Sequence, residues 1–201
     1  MDGAVKVALV PLVLLAGCAT TPRPAPATQG WASMITRNDV GRAHDWRTAF
    51  MRGVTQARAA GHGAEIDAEG ALLQPDAALD GPALPEGRYK CRVIKLGAQS
   101  AGMLPYIIYP AFDCSVAGNR LTKLNGSQRQ AGTLFPDTAR RMIFLGTLAL
   151  GDETMQRPYG VDPERDIFGT VERIGTNRWR LVMPYPRYES LIDVLELTPV
   201  A

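Results

Sequence analysis

The chain has 201 residues and a formal net charge of +2, far from the basic excess that marks nucleic-acid-binding domains. Its 46% content of hydrophobic residues is normal for a globular protein and can supply a sizeable core. Length, composition and charge therefore argue against a nucleic-acid partner and favour one domain of average size with a helical appendage.

The first 17 residues have the organisation of a secretory signal peptide. Lys6 lies close to the amino terminus, and the uncharged run "VALVPLVLLAG" follows it. At about 10 residues this run falls short of the roughly 20 that a permanent membrane-spanning helix needs. We therefore predict that residues 1–17 are removed from the mature protein.

The signal segment ends in Leu-Ala-Gly-Cys, which resembles the recognition box of bacterial lipoproteins. The resemblance implies that Cys18 receives a diacylglyceryl group, becomes the first mature residue and is acylated on its new amino group. Buried methylenes contribute about 0.8 kcal/mol each, so three acyl chains would anchor a soluble domain durably. Directly after Cys18 stands Ala19 and not the aspartate that retains such proteins at the inner membrane, so we expect the periplasmic face of the outer membrane. The alternative is an ordinary signal peptide with a chance cysteine.

Residues 18–30 contain the Pro-rich stretch "ATTPRPAPATQG" directly after Cys18. Because this stretch has no apolar periodicity, it predicts an extended tether between the membrane and the domain.

Residues 31–86 are predicted to form a helical segment. Thr36 and Asp39 have the spacing of a capping-box variant, and Gly61 supplies a stop signal. Apolar residues between them, including Phe50, recur at helical spacing and predict an amphipathic helix that docks on a larger body. This helix either plugs that body or lies outside it.

In residues 87–201 the apolar period changes from helical spacing to alternation. About eight segments alternate between apolar and polar residues: "RYKCRVIKL", "PYIIYPAFDCSV", "RLTKLN", "QAGTLF", "RRMIFLGTLAL", "RDIFGTVERIG", "RWRLVMPYP" and "SLIDVLELTP". Turn signals such as Gly118-Asn119 and Asn125-Gly126 separate them. The sequence therefore predicts a mainly β fold, either an eight-stranded antiparallel barrel of lipocalin-like or calycin-like type, or a sandwich.

Two cysteines remain once Cys18 is assigned to the lipid. Cys91 and Cys114 lie on the apolar faces of the first two predicted strands. Since an exported protein meets an oxidising compartment, we predict a cross-strand disulfide between them. The alternative is a pair of buried free cysteines.

The last predicted strand places a carboxylate on an apolar face. Asp193 shares that face with Leu195 and Leu197, and a buried carboxylate needs a partner. Arg173 and Lys123, which also lie on mixed faces, are the predicted partners.

Long blocks of the chain resemble a known family. These blocks are "GRYKCRVIKLG", "LTKLNGSQRQAGTLFPD", "RRMIFLGTLALGDE", "YGVDPERDIFGTVERIG" and "RWRLVMPYPRYESLIDVLELTP". Together they are similar to a family of Gram-negative exported proteins and lipoproteins, the domain of unknown function numbered forty-eight ninety-three. The resemblance implies no activity. It does imply a set of polar motif positions, which include Lys95, Lys123, Ser127, Gln128, Arg129, Tyr159 and Asp166.

None of the candidate chemical motifs is complete. Ser100 in "GAQSAG" lacks the first glycine of a nucleophile elbow and lies between two predicted strands. Ser127 has no histidine in residues 87–201 to act as its base. The acidic loop 151–166 carries arginines that can neutralise it and lacks calcium-loop spacing. We therefore assign no catalytic residue, no metal site and no cofactor.

Two function classes follow from these predictions. The first is a lipid-anchored binding module that holds a small apolar or amphipathic envelope molecule. Its predicted ligand contacts are Tyr106, Phe112, Phe144 and Trp179, with Lys123 or Arg173 holding a polar end. The second is a structural or interaction protein with a fully packed barrel that contacts another envelope component. A hydrolase is a distant third.

Overall fold

The computed structural model of the chain describes Met1 and residues 30–200. Residues 2–29, which contain Cys18 and most of the predicted signal peptide and tether, lie outside the described residues. Within residues 30–200, none of the helices has both the length and the apolar character needed to cross a bilayer.

Two α-helices and two short 3-10 helices precede the strands. Their bounds are α1 (Arg37–Ala59), α2 (Gly63–Ala68) and the 3-10 helices Trp31–Ser33 and Gly70–Leu73. The hydroxyl of Thr36 accepts a hydrogen bond from the backbone N–H of Asp39, so the predicted cap of α1 is present. The predicted N-terminal helix is therefore confirmed.

Nine strands form one antiparallel sheet. Their bounds are β1 (Gly87–Ala98), β2 (Tyr106–Ile108), β3 (Phe112–Ala117), β4 (Arg120–Lys123), β5 (Gln128–Thr138), β6 (Arg141–Leu150), β7 (Asp166–Gly175), β8 (Arg178–Pro184) and β9 (Ser190–Pro199). From β3 to β9 each strand pairs with the next one in the chain, and β1 pairs with both β3 and β9. The sheet thus closes into an eight-stranded barrel with β2 as an extra strand, which confirms the predicted barrel over the predicted sandwich.

The extra strand arises from a break in the second predicted strand. Residues 94–96 of β1 pair with β2, whereas residues 87–91 of β1 pair with β3 on the same edge. Residues 109–111, which include Pro110, separate the two pieces. Proline cannot donate a ladder hydrogen bond, so the interruption falls where the sequence permits one.

The barrel interior is packed along most of its length. The side chains that fill it come from every strand of the closed barrel, and they include Tyr89, Cys91, Val93, Cys114, Val116, Leu121, Leu134, Phe144, Val171, Trp179, Leu181 and Leu195. Cys91 and Cys114 form a disulfide with their Cα atoms 5.9 Å apart. The predicted cross-strand bridge is confirmed, and it lies inside the barrel.

Helix α1 lies outside the barrel and does not plug it. Its buried side chains, such as Phe50 and Val54, pack against Ile94 and Val194, whose side chains point outward from the barrel wall. Gly53 permits this approach, because a Cβ at that position would lie 2.8 Å from the side chain of Ile192. The predicted apolar stripe of the helix is therefore its contact with the outer wall.

A buried arginine fixes the chain that follows the helices. Arg180 on β8 is fully buried on the outer wall and lies 2.7 Å from the carboxylate of Glu172. Its guanidinium also donates to the backbone carbonyls of Ala71, Leu72, Gln74 and Pro75. This network ties the helical segment to the barrel wall.

The chain between the helices and β1 closes one end of the barrel. Leu84 packs into the interior cluster, and the Tyr89 hydroxyl donates to the carbonyl of Pro85 at 2.6 Å. The backbone of Leu79 pairs with Arg173, and Gly81 donates to the carbonyl of Ala139. We call this end the closed end.

Candidate functional site

The opposite end of the barrel, which we call the mouth, carries the longest loops between strands. Loops 99–105, 124–127, 151–165 and 185–189 surround it. In the loop between β8 and β9, Tyr185 and Glu189 both have positive φ angles of 45° and 72°. Residues other than glycine adopt this conformation at a cost, so the surrounding structure holds this loop in a defined shape.

The interior changes from apolar to polar where it reaches the mouth. Along β1 the inward-facing residues Tyr89, Cys91 and Val93 are followed by Lys95. Asp193 is the register partner of Lys95 on β9. Strands β1 and β9 therefore place two charged side chains in the interior where it reaches the mouth.

Lys95 and Asp193 form a buried ion pair. The Lys95 ammonium is 2.9 Å from Asp193 and 3.2 Å from the carboxylate of Glu189, and only 3% of Lys95 is exposed. The hydroxyl of Ser190 also donates to Asp193. Burial lowers the pKa of Lys95, but the charges of Asp193 and Glu189 outweigh it, so the net shift is upward. Lys95 is thus a neutralised charge.

The predicted partners of Asp193 were wrong, because Lys95 occupies that role in place of Arg173 or Lys123. The sequence did contain the information needed to find this partner. Cys91 and Val93 alternate on the inward face of β1, and the next inward position on that strand is Lys95.

Lys123, in contrast, is a buried cation without a neutralising carboxylate. Only 4% of the residue is exposed, and its ammonium donates to the carbonyls of Asn125 (3.0 Å) and Gln128 (2.7 Å). It also lies 3.7 Å from the centroid of the Phe112 ring. In the part of the chain that the structure describes, no carboxylate oxygen forms an ion pair with it. Burial, followed by the charges of Arg129 and Lys95, lowers the pKa of Lys123 to about 8.

An opening in the barrel wall exposes this lysine to a cavity. Strand β4 ends at Lys123 and β2 covers only residues 106–108, so residues 128–130 of β5 pair with β6 alone. A cavity of about 60 Å³ occupies the opening, and we call it the side cleft. It is lined by Val93, Lys95, Tyr109, Phe112, Lys123, Ser127, Gln128 and Gln130.

Gln130 gives the side cleft an unused hydrogen-bond acceptor. The residue is 5% exposed, and its side-chain carbonyl oxygen has no hydrogen-bond partner among residues 30–200. A buried polar atom without a partner is costly, so this oxygen is suited to accept a hydrogen bond from a bound molecule.

Two neighbouring spaces extend the site. A second cavity of about 30 Å³ lies beneath the mouth loops and shares Lys95, Gln128 and Gln130 with the side cleft. An open groove of about 550 Å³, which we call the rim groove, runs from Gln128 past Met103, Leu150 and Tyr188. Pockets that enclose whole ligands measure about 300–1,000 Å³. The side cleft and the second cavity are far smaller, so each can hold one functional group and not an entire ligand.

Helix α1 holds the longest mouth loop in place. The hydroxyl of Tyr159 donates to the buried carboxylate of Asp39 at 2.6 Å, and Arg42 pairs with the same carboxylate at 2.7 Å. Arg42 also donates to the backbone carbonyl of Asp166. Burial, with the hydrogen bond to Asp39, raises the pKa of Tyr159, so its hydroxyl stays protonated as the donor. The helix therefore shapes the mouth from outside the barrel.

The acidic loop 151–166 is largely neutralised by arginines. Glu153 pairs with Arg165 at 2.9 Å, and Asp162 pairs with Arg157 at 3.0 Å. Within residues 30–200, no group of three or more metal-ligating side chains is arranged to hold a metal ion. The loop has the organisation of a salt-bridged surface loop.

Two of the six predicted ligand contacts lie together. Phe112 and Lys123 both line the side cleft. Phe144 is fully buried in the packed interior, and Trp179 packs against Tyr89 near the closed end. These two aromatic side chains therefore belong to the core and not to the mouth.

The other two predicted contacts lie elsewhere. Arg173 is at the closed end, where its guanidinium donates to the carbonyl of Asp80 at 2.9 Å. Tyr106 faces outward from the barrel and stacks on His62 with ring centroids 4.9 Å apart. The structure does not bring the six residues into one site.

Several site residues were identified in the sequence only as polar motif positions. Lys95, Ser127 and Gln128 all line the side cleft, as Lys123 does. Gln130 was not singled out, although it lies two residues after Gln128 and thus on the same strand face.

Comparison with protein families gives a match over most of the chain. The family described as "Domain of unknown function (DUF4893)" matches residues 31–197 of the chain. No curated protein and no solved structure matches.

Proposed function

The chain belongs to the DUF4893 family, and on that premise we propose that it is a lipid-anchored binding module of the bacterial cell envelope. Its ligand is a small amphipathic molecule, held by one polar end at the mouth of the barrel. The observation that carries this proposal is Lys123, a buried cation beside an open cavity with no carboxylate partner among the described residues. Burying an unpaired charge is costly, so an anionic ligand group would stabilise this site.

The surroundings of the mouth suit the apolar part of such a ligand. Phe112, Val93 and Tyr109 line the side cleft next to Lys123, and the rim groove offers Met103 and Tyr188. A molecule with a polar head in the side cleft could therefore lay an apolar tail along the rim.

The packed interior excludes the deeper mode of binding that a hollow barrel would allow. Phe144 and Leu181 are fully buried where an enclosed ligand would sit. The ligand is therefore bound at the surface of the mouth, with most of its length outside the barrel.

The envelope location rests on two supports. Residues 1–18 have the pattern of a lipoprotein signal followed by Cys18, and the Cys91–Cys114 disulfide suits an oxidising compartment. The periplasmic face of the outer membrane is the proposed site of anchoring, through lipid on Cys18.

Native mass spectrometry of the full-length protein, extracted gently from cell envelopes, tests the binding function. We expect a population heavier than the denatured protein by the mass of one small molecule. A single unliganded species from several growth conditions would contradict the proposal.

A second candidate is a structural or interaction protein of the envelope. The filled interior favours it, because a barrel whose core is complete needs no ligand to be stable. In that case the protein would carry no small molecule, and crosslinking in cells would join its surface to another envelope protein.

A further inference from the structure

We propose that the group held in the side cleft is a carboxylate with a neutral hydrogen-bond donor beside it. Two sources share this chemistry: a 2-hydroxy acid, and the C-terminal end of an acylated amino acid or peptide. The inference rests on the proposed function and names the chemical class of its ligand.

The charges at the side cleft call for one anionic group. Two ammonium groups line the cavity, and Lys95 is already neutralised by Asp193 and Glu189. Lys123 is left with two backbone carbonyls and the Phe112 ring, which solvate its charge without cancelling it. One carboxylate would neutralise the charge of Lys123 itself.

Gln130 defines the second part of the ligand. The residue lines the cavity, and its side-chain oxygen is a buried acceptor without a partner in the described chain. A carboxylate alone offers only acceptors, so a bound molecule must also supply an O–H or N–H to this oxygen. A second ammonium group would be repelled by Lys95 and Lys123, so the donor is neutral.

The size and position of the cavity fix how the ligand enters. About 60 Å³ accommodates a carboxyl group and its nearest neighbours and no more. The remainder leaves either past Gln128 into the rim groove or through the wall opening between β2 and β5, past Tyr109 and Phe112. A flat or apolar substituent would pack against these two rings.

Titration calorimetry on the purified full-length protein, at about pH 7, tests this class with four probes: N-acetylglycine, glycolate, N-acetylglycinamide and inorganic phosphate. We expect at least one of the two carboxylates to bind about tenfold or more tightly than the neutral amide. Preference for N-acetylglycine would assign the acyl amino acid source, and preference for glycolate the hydroxy acid source. Equal binding of the amide, or tighter binding of phosphate than of both carboxylates, would overturn the inference.

Substitutions locate the binding. Lys123→Met should weaken carboxylate binding about tenfold or more, whereas Lys123→Arg, which keeps the charge, should retain most of it. Lys90→Met is the matched control, because Lys90 is an exposed lysine that pairs with Asp113 outside the barrel. Full affinity in Lys123→Met would refute the assignment.

The wild-type protein offers a test that does not depend on a variant folding. The charged groups that act on the pKa of Lys123 are Arg129 on β5 and Lys95 on β1, and Lys95 is paired with Asp193 and Glu189. Because burial and these cations lower the pKa of Lys123 to about 8, carboxylate affinity should fall as the pH rises above that value. A carboxylate affinity that stays constant as the pH rises through about 8 would overturn the inference. A co-purifying ligand with no anionic group would also overturn it, while leaving the proposed binding function intact.

Discussion

Arg178 and Arg180 lie two residues apart on β8 and both point outward, but their surroundings differ. Arg178 is partly exposed and pairs with Glu196 on the barrel surface. Arg180 is fully buried, pairs with Glu172 and donates to four backbone carbonyls. The same residue type is a surface charge in one position and a structural anchor in the other.

Substitution of Arg180 should therefore be far more damaging than substitution of Arg178. We expect Arg180→Met to lower the free energy of unfolding by about 3–5 kcal/mol, because Glu172 and the carbonyls lose their buried partner. The matched change Arg178→Met should cost only about 1 kcal/mol, because this ion pair is partly exposed and Glu196 keeps Arg92 as a partner. Urea denaturation of both variants measures the difference, and equal losses would contradict this account of Arg180.

Lys123 predicts a pH dependence of stability. Its pKa is about 8 in the folded protein and 10.5 for an unperturbed lysine, so the unfolded chain binds more protons between these values. The contribution of Lys123 to the free energy of unfolding must therefore rise with pH between about 8 and 10.5. Denaturation of the wild type and of Lys123→Met at several pH values should show that the free energy of unfolding of the wild type increases, relative to that of the variant, as the pH rises. A constant difference would mean that Lys123 is not a desolvated charge.

At the scale of elements, α1 contains two glycines in different surroundings, and only Gly53 lies at the contact with the barrel wall. A Cβ at Gly53 would lie 2.8 Å from the Ile192 side chain and 3.0 Å from the Leu96 carbonyl oxygen, whereas a Cβ at Gly41 would meet nothing within 4 Å. Gly53→Ala should therefore destabilise the fold by about 1–3 kcal/mol through overpacking. Gly41→Ala should stabilise it by about 0.5–1 kcal/mol, since alanine is the better helix former.

Thermal unfolding followed by circular dichroism compares the two alanine variants directly. Because the substitution is identical, helix propensity cancels and only the contact with the barrel wall differs. Equal stabilisation by both would show that α1 is not packed closely against β1 and β9.

Alternation of apolar and polar residues predicted the strands well and placed Cys91 and Cys114 on apolar faces, but it left barrel and sandwich open until the pairing of β1 with β9. It failed at the second strand, where one regular strand would place Tyr106 and Phe112 on the same face. The break at residues 109–111 shifts the alternation, so Tyr106 points outward and Phe112 inward. A slip of one residue reverses the face of a side chain, and sequence does not locate such a slip.

The same limit applies to the candidate site. Lys95 could be placed inside the barrel by extending the alternation of β1, but the side cleft depends on where β2 and β4 end relative to β5. Those end points are set by pairing between segments distant in the chain, so the joining of Lys123, Gln130 and Phe112 could not be derived from local pattern.

For the whole molecule, the barrel has one closed end and one mouth, and Trp31, near the start of residues 30–200, lies near the edge of the closed end. The indole of Trp31 donates to Asp137, which is close to the turn between β5 and β6, on the same side as residues 79–81. The mouth therefore lies at the opposite end of the barrel from Trp31.

Lipid attachment at Cys18 is tested by the intact mass of protein extracted from envelopes. We expect a chain that begins at Cys18 and carries three acyl chains, because the sequence before it resembles a lipoprotein signal. Cys18→Ser should yield no acylated form and should leave the envelope fraction. An unprocessed amino terminus in the wild type would contradict the proposed anchoring.

The most direct test of binding at the mouth is native mass spectrometry of a variant whose mouth is filled. Gln128 lies at the rim and lines the side cleft, the deeper cavity and the rim groove, so Gln128→Trp should block all three. Asn177→Trp, in the exposed turn at the closed end, adds the same bulk away from the site. The account predicts that wild type and Asn177→Trp carry a bound small molecule from the envelope and that Gln128→Trp does not. A ligand retained by Gln128→Trp, or lost equally from both variants, would contradict it.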